Sequence, residues 1–314
     1  MPVGDAVLSS ALAQALGGRV QLLGRRPLAD RSSFPVEELD LLCGGRQLSL
    51  VFKDCSPDRL SPEAASAKPS FLRVPGRELE VYNRVLEPAG VGAPACHGTV
   101  SEPAAGRFWL FIEHVDGELL WRVGEPAIWA QAARWLADLH GRPLPCDREP
   151  LLSYDGSWFR LWLRRALEVQ PDALDRLAAS HERAVALLCS WPRSLVHGEF
   201  YPSNVLIEGQ GADARVRPVD WEMAGVGPGL LDLAALVSGG WSAEERERLT
   251  AAYYEAWPAR LPKPGWDEFH DALDHCRLQL AVQWIGWSRE WTPPAEHAHD
   301  WLSEALSLAD RLSE

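Results

Sequence analysis

The chain has 314 residues, 46% of them hydrophobic, enough to bury two separate cores. Its formal charge of -13 and pI near 5.2 argue against a nucleic-acid binder, which needs a basic field, and suit a cationic or neutral small molecule or simply a soluble acidic surface. No apolar run reaches membrane-spanning length and the N-terminus lacks a basic n-region, so a cytoplasmic chain is expected, with no membrane partner. Six cysteines, none in a C-x-x-C pair, fit reduced buried thiols.

The first part reads as β-rich. In VEELDLLCGGRQLSLVFKD two alternating runs flank Gly44-Gly45, a two-residue hairpin signal. On the second run Leu48, Leu50 and Phe52 share the inward face. Gln47, Ser49, Val51 and Lys53 share the other, which leaves Lys53 facing a cleft. SPDRLSPEAASAKPSFLRVPG reads as a loop with one short helical turn. RELEVYNRVLEPAG then opens a helix with Leu79, Tyr82, Val85 and Leu86 on one stripe and Glu78 at its start. Phe108 to His114 forms a strong strand that ends in the turn Asp116-Gly117.

Beyond that turn the pattern becomes helical. PAIWAQAARWLADLHG carries Ile128, Ala132, Trp135, Leu136 and Leu139 at helical spacing and closes on Gly141. Further helices are expected over 157–171 and 174–190. Short strands should flank the loop after Val196 and lead into Asp220, and helices should fill the chain from about Leu230. The expected fold is α+β, with a small β-rich lobe over 1–115 and a larger, mostly helical lobe over 116–314.

The chemistry concentrates in His197-Gly198-Glu199-Phe200-Tyr201-Pro202-Ser203-Asn204, which has the frame H-x-acid-x-x-x-x-N. After fifteen intervening residues Asp220 follows a strand. Phosphoryl transfer needs an acid near the attacking hydroxyl and oxygen ligands that hold Mg²⁺ against nucleotide phosphates. Glu199 offers the first; Asn204 and Asp220 offer the second. Lys53 would neutralise phosphate charge, and a helix glutamate would orient it: Glu78, with Glu80 as second candidate. A strand lysine or a turn aspartate is commonplace alone, but the set occurs in the order this chemistry requires.

These motifs resemble the aminoglycoside phosphotransferase family, within the protein-kinase-like small-molecule kinases that include choline kinases. HGEFYPSNVLI resembles the family's H-G-D-x-x-x-x-N loop, DWEMAGVGPGLLDLA its D-[FW]-[ED]…DLA segment, IEHVDGELL its hinge and ARWLADLHG its helix ending in Leu-His. The resemblance spans about Leu48 to Ser238. It implies a bilobal kinase-like fold, ATP or GTP as phosphate donor, Mg²⁺, and a small-molecule hydroxyl as acceptor. Carried over by position, Lys53, Glu78 and Val51 meet the nucleotide, and the backbone of Glu113 and Val115 meets its base. Glu199 takes the base position, Asn204 and Asp220 bind the metal, and His197 buttresses the loop. Asp232 and His140 are expected to hold structure rather than touch substrate.

Two features depart from the family pattern. The first 50 residues hold no G-x-G-x-x-G, so ADRSSFPVEEL, with Ser32 and Ser33, is the stand-in for a phosphate-covering loop. Glu199 replaces the usual aspartate, and its extra methylene shifts the carboxylate by about 1.5 Å, one carbon–carbon bond. That substitution keeps a nucleotide-binding pseudokinase in view beside the active enzyme, and a peptide-directed kinase is a further alternative. Fifteen tryptophans are also unusual. Trp284, Trp287 and Trp291 share one helix face, fitting either an aromatic wall for a sugar or quaternary cation, with Glu290 beside it, or a tryptophan-rich core. HAHD at 297–300 reads as a polar helix start rather than a metal pair.

Overall fold

The computed structural model describes residues 3–28, 33–174, 177–287 and 298–313. The chain divides into two units, Met1–Asp116 and Gly117–Glu314. In the first, helix α1 (Asp5–Ala15) precedes strands β1 (Val20–Pro27), β2 (Val36–Cys43) and β3 (Arg46–Asp54). Helices α2 (Pro62–Ala67), α3 (Arg77–Val81) and α4 (Glu87–Ala89) follow, then β4 (Cys96–Glu102) and β5 (Arg107–Glu113). The five strands form one antiparallel sheet in the order β1-β2-β3-β5-β4.

The β2–β3 hairpin turns on Gly44 and Gly45, at φ 57° and 82°, and pairs Cys43 with Arg46. Two successive positive φ values match the right-handed twist of the strands, which is why glycines occupy the turn. Alternation then sorts the residues of β3. Leu50 and Phe52 enter a core with Leu39, Leu41, Trp109 and Phe111, closed by Leu8 and Leu12 of α1. Phe52 stacks on Phe111 at 5.3 Å and meets Trp109 edge-on at 5.6 Å. Lys53 therefore lies on the face away from this core.

The segment after β3 is more helical than expected. Ser61 caps α2 by accepting from the Ala64 amide at 3.1 Å, and Pro62 occupies its first turn, a start signal that local Ser, Pro and Ala content obscured. The predicted stripe Leu79, Tyr82, Val85 and Leu86 is buried. Between α3 and α4 the helix passes through a π turn over Tyr82–Leu86. Pro88 has no N–H to close the regular turn, and a shifted register accommodates that loss.

In the second unit β6 (Gly117–Leu119) and α5 (Pro126–Gly141) come first, then β7 (Leu152–Ser153), α6 (Gly156–Val169), α7 (Pro171–Leu174) and α8 (Leu177–Ser190). Four short strands follow: β8 (Arg193–Val196), β9 (Val205–Glu208), β10 (Arg215–Pro218) and β11 (Gly225–Pro228). The chain finishes through α9 (Leu230–Leu236), α10 (Ala243–Glu255), α11 (Trp266–Trp287) and α12 (Trp301–Arg311). One three-stranded sheet has the order β10-β9-β6 and the other β7-β11-β8.

The tryptophans of α11 serve the core. Trp284 stacks on Trp301 at 5.1 Å with an interplanar angle of 3°, while Trp287 stacks on Trp162 at 5.1 Å. The two indoles thus meet different partners and form no shared wall. Trp291 and Glu290 lie outside the described residues, as does His297. Asp300 caps α12 by accepting from the Ser303 amide at 2.9 Å, and His299 pairs with Glu304, so the later half of HAHD is a helix start. No described helix is long and apolar enough to cross a membrane.

Candidate active site

In the first unit β3 and α3 bring two predicted residues together. Lys53 Nζ lies 2.6 Å from Glu78 Oε2, and both side chains are buried. Glu80 turns instead to Arg84, at 3.2 Å. A buried lysine needs such a partner, because a bare charge in this environment would lose its hydration without return. Val51 sits between Glu38 of β2 and Ile112 of β5. The Glu113 amide donates to Ala95 O at 2.8 Å and its carboxylate accepts from the Ala95 amide at 3.0 Å. The backbone N–H of Glu113 is thus committed within the sheet. Val115 is buried. Ser32 lies outside the described residues, while Ser33 O accepts from the Ser61 amide at 2.9 Å.

In the second unit the chain leaves β8 at Val196 and turns through His197 to Asn204 before entering β9. Asp232, at the start of α9, holds this turn by its backbone. Its Oδ2 accepts from the His197 amide at 2.7 Å and its Oδ1 from the Gly198 amide at 2.8 Å. The carboxylate is itself fixed from behind. His140 Nε2 donates to Oδ2 at 3.2 Å, so His140 Nδ1 must accept, and the Tyr253 hydroxyl donates to it at 2.8 Å. Burial raises the Tyr253 phenol above its ordinary range, which keeps the donor protonated. Three helices, α5, α9 and α10, thereby converge on two peptide groups.

Gly198 has φ 87°, and a Cβ there would overlap the Tyr154 hydroxyl and the Met223 carbonyl. Tyr154 donates to that carbonyl at 2.7 Å. Only glycine fits both the dihedral and the space.

His197 is buried, and burial holds its imidazole below the ordinary histidine value against the opposing pull of Asp232. It is therefore the neutral tautomer: Nε2–H donates to Val219 O at 3.0 Å and Nδ1 accepts from the Glu199 amide at 3.3 Å. Its ring also packs on Trp221 at 4.5 Å. This one side chain ties the turn to the residue before Asp220. Asn204 Nδ2 donates to Glu199 O at 3.0 Å, while its own carbonyl accepts from the Val219 amide at 2.9 Å. With its nitrogen committed, the amide of Asn204 has Oδ1 as its acceptor. Asp220 stands at φ 63° and ψ 61°, the left-handed region, and is the one non-glycine residue at positive φ among those described. Aspartate tolerates this region better than most residues, and such a conformation persists where surrounding contacts impose it. Strand β10 ends at Pro218, two residues before Asp220.

Glu199 and Asn204 are half-buried, whereas His197, Phe200 and Tyr201 between and before them are buried. Phe200 stacks on Trp135 of α5 at 5.5 Å, which explains why Trp135 belongs on the helix stripe though it is only half-buried. The polar members of the turn are thus held by an apolar underside. Among the described residues no group of three His, Cys, Asp or Glu is arranged to hold a metal. An amide oxygen and one carboxylate are nevertheless the hard donors that suit Mg²⁺, which keeps several waters and takes its other oxygens from phosphates.

The sequence matches the profile of the phosphotransferase enzyme family (APH) over residues 27–270. The chain belongs to this family. It is a phosphotransferase. Solved structures share its fold at low identity. A protein from Ralstonia eutropha JMP134, named as a candidate aminoglycoside phosphotransferase, is 16% identical with a TM-score of 0.67, over 98% of each chain. A choline kinase from Streptococcus pneumoniae is 14% identical with a TM-score of 0.63, again over 98% of each. Aminoglycoside 2'-phosphotransferase-IIIa, solved as a GDP complex, is 14% identical with a TM-score of 0.58, over 99% of this chain and 98% of that one. No curated protein matches the chain. The fold is accordingly kinase-like, with a β-sheet N-terminal region and a helical C-terminal part.

Sequence reasoning did not anticipate Tyr253 behind His140, nor Tyr154 beneath Gly198. Both act across more than forty residues of chain and carry no local motif.

Proposed function

We propose that this phosphotransferase moves the γ-phosphate of ATP to a hydroxyl of a small molecule. The observation that carries the reading is the backbone clamp of Asp232 on His197 and Gly198, which fixes Glu199 and Asn204 on one rigid turn. Positioning of this kind suits a reaction with a loose transition state, in which alignment and charge neutralisation supply most of the rate. Residues 1–115 would supply the nucleotide groups. Lys53, oriented by Glu78, neutralises phosphate oxygens, Val51 packs on the base, and the backbone of Glu113 and Val115 meets its edge. With the Glu113 N–H committed to Ala95, its carbonyl is the group a base would meet.

Residues 116–314 would supply the catalytic and acceptor groups. Asn204 Oδ1 and the Asp220 carboxylate would hold Mg²⁺, which when bound spreads the charge of the phosphates. Glu199 orients the acceptor hydroxyl and takes its proton. His197, neutral and tied to Val219 and Glu199, keeps the two loops in register. The test is transfer from γ-labelled ATP, with Mg²⁺, to pooled hydroxyl metabolites and aminoglycosides. Label should appear in an acceptor only with wild type and vanish in Asp220→Ala. Nucleotide binding with no transfer to any pool, unchanged in Glu199→Asp, would overturn the reading in favour of a nucleotide sensor.

A further inference from the structure

We infer that Tyr154 is a positioning residue for Asp220: its hydroxyl, acting through Met223, holds the Asp220 loop against the catalytic turn and so sets the spacing of Asp220 and Asn204 for one cation. The inference rests on the reading above of these two residues as the Mg²⁺ ligands.

The segment AGVGPG follows the Asp220 loop. Two of its glycines, Gly225 and Gly227, lie on one face of β11, because alternate residues of a strand share a face. A Cβ at Gly227 would fall 2.6 Å from Tyr154 Cβ, and one at Gly225 would overlap Tyr154 Cε2. One at Gly198, in the catalytic turn, would overlap the Tyr154 hydroxyl. Three glycines, two after Asp220 and one before Glu199, thus leave the slot in which this ring lies. The ring runs along β11 and ends beneath the catalytic turn. Its near end is fixed as well. The Tyr154 amide donates to Val226 O at 3.0 Å, and Arg193 of β8 donates to the Tyr154 carbonyl at 3.3 Å. Trp158 packs on the ring at 4.9 Å, and the side chain is buried.

At its far end the hydroxyl donates to Met223 O at 2.7 Å. Met223 closes the short turn Trp221–Met223 that Asp220 opens. Asp220, at φ 63°, is therefore held from both sides. Upstream, His197 Nε2 donates to Val219 O and the Val219 amide donates to Asn204 O. Downstream, Tyr154 supplies the bond to Met223. The strain of one left-handed non-glycine residue and the net worth of one buried hydrogen bond are of the same order. Loss of the Tyr154 bond therefore lets Asp220 relax toward ordinary φ. A shifted carboxylate no longer matches Asn204, because Mg²⁺ demands near-ideal octahedral geometry.

Tyr154→Phe removes the hydroxyl and keeps the ring in its slot. Tyr254→Phe is the matched control, since Tyr254 also donates to a backbone carbonyl, Pro264 O at 2.8 Å, in the link between α10 and α11. Thermal melts verify that both variants are folded at the assay temperature. Two readouts need no turnover. Mn²⁺, which takes the same hard oxygen donors, is titrated with ADP present and followed by water-proton relaxation. Amide hydrogen exchange is followed at Val219 and Ala224, whose N–H groups bond to Asn204 O and Trp221 O. Tyr154→Phe should weaken Mn²⁺ binding about tenfold and speed exchange at Ala224 about tenfold, the effect of one lost hydrogen bond. The Mg²⁺ concentration needed for transfer should rise by the same factor. Tyr254→Phe should change none of these, and Asp220→Ala should abolish Mn²⁺ binding. Equal effects in the two tyrosine variants would reduce Tyr154 to general stability and overturn the inference. Unchanged Mn²⁺ binding and exchange in Tyr154→Phe, with binding lost in Asp220→Ala, would overturn it and leave the metal reading standing. Mn²⁺ binding that survives Asp220→Ala, or is absent from wild type, would overturn the metal reading. Exchange at Ala224 then decides the loop contact by itself, supporting it if faster in Tyr154→Phe and overturning it if unchanged.

Discussion

Lys53–Glu78 and the turn from His197 to Asn204 use burial in opposite ways. In the first unit the candidate nucleotide-binding charges are themselves buried and paired with each other. In the second the candidate chemical groups, Glu199 and Asn204, stay half-buried, and Asp232 holds the backbone of His197 and Gly198 just before them. A buried pair fixes a charge at one point but ties function to stability. A clamped turn places the structural burden on Asp232, His140 and Tyr253. The contrast predicts that mutations in the first unit damage folding and function together, whereas in the second they separate.

The largest effect should come from Glu78→Ala, which removes the carboxylate 2.6 Å from the buried Lys53 charge and costs about 3–5 kcal/mol of stability. Chemical denaturation measures it. The double variant Lys53→Met, Glu78→Leu should be markedly more stable than the single one, and a double variant as unstable as Glu78→Ala would break the buried-pair account. Next is Asp220→Gly, which removes the carboxylate while suiting φ 63° better than alanine would. Turnover should fall about 10²- to 10³-fold, with melting temperature nearly unchanged. A large loss of stability instead would place Asp220 among the structural residues.

Asp232→Asn should be intermediate. It exchanges a charged acceptor of three hydrogen bonds for an amide and should cost about 1.5–3 kcal/mol. The sharper readout is kinetic, because kcat should fall while nucleotide affinity holds. Glu199→Asp tests the unusual base. If the turn is built for glutamate, shortening the side chain misplaces the carboxylate and lowers kcat about 10- to 100-fold. A faster Glu199→Asp enzyme would mean that the turn still has aspartate geometry.

The smallest effect is a pH dependence. Burial holds His197 and His181 below the ordinary value of 6.5, so as pH falls below that value the unfolded chain takes up protons first. Stability attributable to each is full above pH 6.5 and then declines by at most about 1.4 kcal/mol per pH unit until the folded site titrates. His181 donates from Nε2 to Gln279 at 2.8 Å, a bond glutamine can imitate. Melts at pH 7.5 and 5.5 should therefore show a smaller drop in His181→Gln than in wild type. Equal drops would remove His181 from the account.

By itself the sequence determined what depends on neighbours along the chain. Alternation in β3 separated Leu50 and Phe52 from Lys53, Gly44-Gly45 set the hairpin, and the spacing of His197, Glu199, Asn204 and Asp220 carried the resemblance to the family. It also marked the stripe Leu79, Tyr82, Val85, Leu86, because helical periodicity is local. Helix α1 and strands β1 and β4 were not called from their patterns, although Leu8 and Leu12 sit one helical turn apart and close the sheet core. Eleven residues with two such anchors give a weak signal when the surface they cover is made by strands elsewhere.

Tertiary structure alone decided which partners met. It chose Glu78 over Glu80 for Lys53 and put Tyr253 behind His140. It sent Trp284 and Trp287 into different contacts. Each of these outcomes depends on packing between segments far apart in the chain. Backbone geometry limits a residue's near neighbours to a few arrangements, whereas distant contacts are fixed only when the whole core closes.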